Sequence, residues 1–187
     1  MAFGRVAVNL SVALQNAAMS ATPITPGKAP AYALRAARPQ DAPAIVGLIT
    51  ELAEFEQLAH LVQVTPQGLC EHLFGPRPVI ECTVAEGGGA VQAFALYFTN
   101  FSTFLGQPGL YLEDLYVKPA WRGQGLGGAL LRHLAALAVE RGCGRFEWSV
   151  LDWNANAIAV YEGMGATVMP EWRICRLSGE ALARYKR

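Results

Sequence analysis

The sequence predicts a mixed α/β domain, and three observations carry that reading. A strand-like stretch and an amphipathic helix lead. Three β-rich runs follow, the first two separated by consecutive glycines. The second half then alternates a periodic helix, a strand, a helix and a final strand-like run.

Taken in order, Tyr32 to Ala37 reads as the first strand. Asp41 is the expected N-cap of a helix over residues 41–58, with Pro43 in its first turn, where a missing N–H costs nothing. Ile45, Val46, Ile49, Leu52 and Ala53 fall on one face of that helix, and Glu51, Glu54 and Glu56 fall on the other. Thr65 is placed to cap a second, short helix ending before Gly75 and Pro76. Val79 to Glu86 and Val91 to Phe98, separated by Gly87, Gly88 and Gly89, predict an antiparallel hairpin, and Gly109 to Val117 a third strand. The segment between Phe98 and Tyr111 reads as a variable insert. Leu126, Leu130, Leu131, Leu134, Leu137 and Ala138 define a long helix stopping at Gly142. Arg145 to Leu151 is the next strand, Asn154 to Gly163 the next helix, and Ala166 to Leu177 a last strand broken near Pro170. No repeat or interior linker divides the chain, so residues 31–187 read as one domain.

Residues 1–30 differ from the rest. Arg5 precedes the apolar stretch Val6 to Leu14, in the order of a secretory signal, but Asn9 and Ser11 interrupt the run and only one positive side chain precedes it. Met19 is an alternative start, followed by a Pro-rich lead to Pro30. The segment is expected to be a poorly structured extension.

Bulk composition limits the function classes. In 187 residues, 52% are hydrophobic and 16% charged, with 15 basic and 15 acidic side chains. A chain without basic excess advertises neither nucleic acid nor an anionic membrane as partner. No apolar run reaches the roughly 18–20 residues that span a bilayer. Cys70, Cys82, Cys143 and Cys175 are scattered without a CxxC pair or neighbouring histidine ligands, which argues against structural zinc and a disulfide framework. The expectation is a cytoplasmic protein with reduced cysteines and no metal. His60, His72 and His133 show no triad or metal spacing.

The sharpest feature is Arg122-Gly123-Gln124-Gly125-Leu126-Gly127-Gly128, set between a strand and the periodic helix. Glycines let backbone N–H groups approach a ligand, and the helix start adds unpaired donors and its positive dipole end. Together they form an anion site suited to a pyrophosphate, with Arg122 as a fixed charge beside it. A P-loop is excluded because no Gly-Lys-Ser/Thr follows at the required offset. Gly123, Gly125 and Gly128 satisfy G-x-G-x-x-G, with Glu147 about 20 residues on. Yet Lys118 to Arg122 separate strand from motif, and too little chain follows for the second half of a dinucleotide sheet. A plain tight turn leaves this density of glycine, and Arg122, unexplained.

The remaining design is coenzyme A recognition through Arg/Gln-x-x-Gly-x-Gly/Ala, met by Arg122, Gly125 and Gly127. With Asn154-x-x-Ala157-x-x-x-Tyr161-Glu162-x-x-Gly165-Ala166 downstream, the sequence resembles the GNAT N-acetyltransferases from about residue 32 to its end. Tyr111-Leu112-Glu113-Asp114-Leu115-Tyr116-Val117, the glycine motif, Val150-Leu151-Asp152-Trp153-Asn154, Leu48 to Glu56 and Glu171-Trp172 resemble the diamine acetyltransferase branch. That branch includes spermidine/spermine and thialysine acetyltransferases, and the Leu-Asp-Trp-Asn run leans to the latter.

The resemblance implies a GNAT fold, a splayed and mainly antiparallel sheet flanked by helices, with acetyl-CoA as co-substrate, a small-molecule amine as acceptor and a homodimer. It assigns Tyr161 as the acid that protonates the CoA sulfur and Glu113 as the carboxylate that draws in the ammonium and takes its proton. Leu115, Tyr116 and Val117 would pair through their backbone with the pantetheine arm, the Leu115 N–H meeting the oxyanion. Residues 122–128, Asn154 and Ala157 would hold the rest of the cofactor, and Phe55, Glu56, Glu147 and Trp148 the amine chain. Strand alternation puts Glu113 and Asp114 on opposite faces, so only one is expected in the site. No cysteine lies in the motif region, which favours direct attack in a ternary complex over an acyl-enzyme. Two alternatives remain: another acceptor, such as an aminoglycoside or a protein amine, and a non-catalytic acyl-CoA sensor. Glu113 and Tyr161 together argue against the sensor.

Overall fold

In the computed structural model of the chain, residues 31–186 are described. The expected N-terminal extension, 1–30, lies outside them. Ten elements follow in order: β1 (Tyr32–Ala36), α1 (Ala42–Phe55), α2 (Pro66–Phe74), β2 (Glu81–Gly87), β3 (Ala90–Ser102), β4 (Gln107–Val117), α3 (Leu126–Glu140), β5 (Arg145–Trp148), α4 (Ala155–Gly163) and α5 (Gly179–Ala183). The five strands form one sheet in sequence order. Each pair is antiparallel except β4–β5, which is parallel over only Gly109–Leu112 and Arg145–Trp148. The mixed, mainly antiparallel sheet flanked by helices is the architecture expected.

Side-chain size decides which helix covers which face. On one face Ala85, Ala93 and Ala95 keep the sheet low, so that α3 can lay Leu126, Leu130, Leu131 and Leu134 directly onto it. The other face carries Cys82, Val84, Phe94 and Leu96 against Ile45 and Leu48 of α1 and Leu69 and Leu73 of α2. Leu130 and Leu134 have no exposed surface, and truncating either to alanine should cost about 2–5 kcal/mol. Thr65 caps α2 as expected, its Oγ1 accepting from the Gly68 N–H at 3.1 Å.

Four expectations need correction. Asp41 does not cap α1 with its side chain. Its buried carboxylate accepts from Arg35 at 2.6 and 3.0 Å and from the Arg38 N–H at 2.7 Å, because β1 delivers a guanidinium there. This pairing holds the Asp41 carboxyl below its ordinary range, the Arg35 hydrogen bonds outweighing burial. The segment between Phe98 and Tyr111 is ladder rather than insert: β3 and β4 pair out to Ser102 and Gln107. Strand β5 stops at Trp148, not Leu151. Residues 166–177 form no strand. Pro170 lacks a donor, no ladder partner lies alongside, and Met169, Trp172 and Ile174 stay largely exposed.

Candidate active site

The β4–β5 ladder ends at Leu112 and Trp148, while β4 continues to Val117. From Glu113 onward that edge of β4 is therefore left open, and the helix that follows the glycine turn starts beside it. Within this opening β4 carries an irregularity. Leu96 pairs with Asp114 and the next residue, Tyr97, with Leu112, leaving Glu113 as an extra residue. Such a β-bulge breaks the alternation of faces. Both Glu113 and Asp114 therefore line the same cleft, against the expectation that only one would do so.

This cleft encloses about 390 Å³ between the C-terminal end of α1, residues 58–64 and the bulge. Ile49, Leu52, Leu61 and Val62 make its apolar wall, and Glu56, Glu113 and Asp114 are its charged groups. Burial raises the Glu56 carboxyl above its usual range. Asp114 is pushed up to about 6, first by burial and then by the charges of Glu113 and Glu56. Three carboxylates facing an apolar wall make a receptor for a cation with an alkyl chain.

Tyr161 stands on α4, whose N-cap Asn154 accepts from the Ala157 N–H at 3.3 Å. Its half-buried ring meets Trp148 edge-on, 5.1 Å between centroids, as part of the core under α3. Burial, and then the charge of Glu56, raise the Tyr161 phenol above its ordinary value. Glu56 thus acts electrostatically on both Asp114 and Tyr161. Trp148 faces the α3 core, its ring tilted against Phe146 at 4.8 Å between centroids. Glu147 alternates to the other face, where it meets Arg145 Nη2 at 3.2 Å and Asn100 Nδ2 at 2.9 Å.

The glycine turn has the geometry its sequence calls for. Gly123 and Gly125 adopt φ of 73° and 76°, the left-handed region that disfavours other residues, and Gly125 is the N-cap of α3. Leu126 is buried in the core, Gln124 Nε2 donates to the Ala120 carbonyl at 3.3 Å, and Gly127 lies over Leu115 and Val117. A Cβ on Gly128 would press on the Arg132 guanidinium, one turn on, at 3.2 Å. Arg122 has a second set of partners that its place in the motif did not foretell. Its guanidinium lies 5.2 Å from the centre of the Tyr116 ring and 5.6 Å from that of Phe55, and its Nε donates to the Val117 carbonyl at 2.9 Å. Phe55 in turn meets Trp153 at 5.8 Å.

The structure thus brings Glu56, Glu113 and Asp114 to one cleft, while Tyr161, on which Glu56 acts electrostatically, packs on the α3 side against Trp148. It turns Glu147 and Trp148 to opposite faces. Sequence reasoning passed over Asp114, Trp153, Asn100 and Arg145. The adjacent acidic pair was visible, but a bulge leaves no mark in the alternation of side chains. Among the described residues no cluster of His, Cys, Asp and Glu is arranged to hold a metal, and the four cysteines are unpaired. Burial pushes the Cys82 thiol up to about 12. No described helix is long and apolar enough to cross a membrane.

Known proteins resemble this chain in sequence and in fold. The profile of the Acetyltransferase (GNAT) family matches residues 46–166, a span that holds every side chain discussed for the site. A thialysine N-epsilon-acetyltransferase of Mus musculus is 39% identical over 160 residues, covering 80% of this chain and 94% of that protein. An L-ornithine N5-acetyltransferase of Arabidopsis thaliana is 36% identical, covering 80% and 85%. Among solved structures, an integron cassette protein from the mobile metagenome of V. cholerae superposes with a TM-score of 0.69 at 25% identity, covering 82% of this chain and 96% of that one.

Proposed function

The chain belongs to the acetyltransferase (GNAT) family and uses acetyl-CoA; from that premise we propose that it acetylates the terminal primary amine of a small diamine or diamino acid. The observation that carries the acceptor class is the cleft with Glu56, Glu113 and Asp114 set against an apolar wall. Its relatives' acceptors, thialysine and ornithine, are cationic amines on short chains.

The chemistry sets the roles. An alkyl amine with a pKa near 10.4 is about one part in a thousand unprotonated at neutral pH. Glu113, at the rim of the cleft, takes the proton from the ammonium, directly or through water. The nitrogen attacks the thioester carbonyl and a C–N bond forms. The oxyanion is met by the Leu115 N–H on the open edge of β4. The C–S bond then breaks, Tyr161 gives its proton to the departing sulfur, and the second proton of the attacking nitrogen leaves as the amide forms and passes through water to restore the phenol. A phenol held above its ordinary value keeps its proton ready at neutral pH. Leu115, Tyr116 and Val117 pair with the pantetheine arm, residues 122–128 hold the pyrophosphate, and Asn154 and Ala157 complete the cofactor site. Phe55, Glu56 and Glu147 flank the acceptor, and Trp148, on the opposite face, backs the Tyr161 ring. Transfer is direct, without an acyl-enzyme.

We read residues 31–187 as the catalytic domain, 1–30 as an extension, and the enzyme as a cytoplasmic homodimer without nucleic-acid or membrane partners. The exposed Met169, Trp172 and Ile174 of the C-terminal stretch support a second copy as their cover. The test is thiol release from acetyl-CoA against thialysine, ornithine, lysine, putrescine and spermidine, with Tyr161→Phe and Glu113→Gln beside the wild type. Turnover that falls about 10²-fold or more in kcat for each variant is expected. Binding of acetyl-CoA without turnover of any of these amines would refute the acceptor class.

A further inference from the structure

On the sheet face that carries Asp114, the strands lay out two rows beyond the bulge. Phe98, Tyr111 and Glu147 stand side by side in one row, and Asn100, Gly109 and Arg145 in the next. Phe98 and Tyr111 stack at 5.1 Å, and the Tyr111 hydroxyl meets Ser149 Oγ at 2.9 Å. They form an aromatic step between the acidic cleft and an Arg–Glu–Asn cluster.

That cluster holds more hydrogen-bonding capacity than it uses. Glu147 Oε1 accepts from Asn100 Nδ2 and forms an ion pair with Arg145 Nη2 at 3.2 Å. Among the described residues nothing donates to Glu147 Oε2, and Asn100 Oδ1 and Arg145 Nε have no partner although both are shut away from solvent. Only glycine fits between them, since a Cβ on Gly109 would collide with Asn100 Oδ1 and come within 3.2 Å of Arg145 Nε. A guanidinium and a carboxylate held together, each with unused capacity, complement a zwitterion: a carboxylate for the guanidinium and an ammonium for the free carboxylate oxygen.

We propose that Arg145, with Glu147 and Asn100, recognises the α-carboxylate and α-ammonium of the acceptor, so that the enzyme prefers diamino acids to the corresponding diamines. This rests on the acetyl transfer to small amines proposed above. The spacing agrees. The Glu147 row is two residues from Glu113, about 7 Å along the strand, and the side chain of a thialysine-like acceptor spans about 6 Å from its terminal nitrogen to its α-carbon when extended. Its methylenes would lie over Tyr111 and Phe98. A diamine reaching the same place offers Glu147 an ammonium but leaves Arg145 without a ligand.

The experiment compares kcat/KM for ornithine and putrescine, which differ only in the carboxylate, and for thialysine and its methyl ester. Wild type and Arg145→Met are measured with the same acetyl-CoA. The ornithine-to-putrescine ratio should be about tenfold to a hundredfold in the wild type and collapse towards one in the variant. The ester should lose a similar factor in the wild type, an outcome that requires no mutant to fold. A wild-type ratio near one, an ester used as well as thialysine, or a ratio unmoved in Arg145→Met would overturn the assignment while leaving the acetyl transfer intact. Absence of turnover with all four amines would instead remove the reading on which it rests.

Discussion

Replacing Asp114 by asparagine tests the electrostatics of the cleft through stability rather than activity. The ordinary value of this carboxyl is 3.8, and in the folded protein it rises to about 6, chiefly through burial. A folded-state value above the unfolded one means that the native protein holds the proton more tightly. Stability then falls as pH rises from about 4 to about 6, and the loss persists above that. The gap between 3.8 and about 6, at 1.36 kcal/mol for each tenfold change in proton affinity, amounts to about 3 kcal/mol. Asp114→Asn cannot ionise and should escape this loss. At pH 7 the variant should be more stable by about 3 kcal/mol, or about 6–12 °C in Tm for a chain of this size, and at pH 4 the difference should shrink to about 0.6 kcal/mol. Urea denaturation of both at several pH values between 4 and 7.5 measures the difference, and titrating groups remote from Asp114 cancel. A difference that does not change with pH across this range would show that Asp114 ionises as freely as in water, and the picture of three crowded carboxylates would fail. The same variant should weaken acceptor binding at pH 7, when the wild-type carboxylate is ionised.

Two other substitutions address the frame around the site. Asp41→Asn leaves Arg35 with only part of its ion pairing and should cost about 3 kcal/mol or more by urea denaturation. The Asp41 carboxyl is held low, so its contribution is full above the ordinary carboxylate value and is lost as pH falls through the lower folded value; the gap between wild type and variant should therefore narrow on acidification. Gln57 follows α1 with φ of 62°, and Gln57→Gly should relieve about 1 kcal/mol of that strain, raising Tm by about 2–4 °C. An unchanged or lower Tm would mean that contacts of the Gln57 side chain outweigh the backbone term.

Much of the fold was legible because local signals agreed with one another. Thr65, the glycines between β2 and β3, the periodic leucines of α3 and Asn154 each mark a boundary through chemistry confined to a few residues. The failures came where a distant partner decided the outcome. Asp41 has the composition of a cap, but Arg35, six residues earlier on β1, takes its carboxylate. Residues 166–177 have the composition of a strand, but no ladder reaches them. Glu113 and Tyr161 were identifiable only through family motifs; Glu113 shares its cleft with Glu56 and Asp114. The motif for Arg122 said nothing of its seat between Tyr116 and Phe55, which depends on how α1 crosses the sheet. Arg145 carried no motif at all; alternation along β5 sets it beside Glu147, and the register through Gly109 brings both to Asn100.

The extra residue in β4 also governs how this protein can be edited. Between Leu112, on the α3 face, and Tyr116, on the α1 face, the parity of the strand is switched by Glu113 alone. Deleting Glu113 would close the ladder into strict alternation, Tyr97 opposite Leu112 and Leu96 opposite Asp114, with every later side chain of β4 on its present face. Tyr116 would stay in the core it shares with Phe94, and Val117 beside Gly127. A chain shortened there keeps its packing and loses the carboxylate together with the kink that sets it in the cleft. Inactive descendants of such an enzyme can therefore arise by loss of this one residue as readily as by its replacement, whereas a deletion elsewhere between Leu112 and Val117 would draw Glu113 into the regular ladder in place of a core-facing or cleft-lining neighbour.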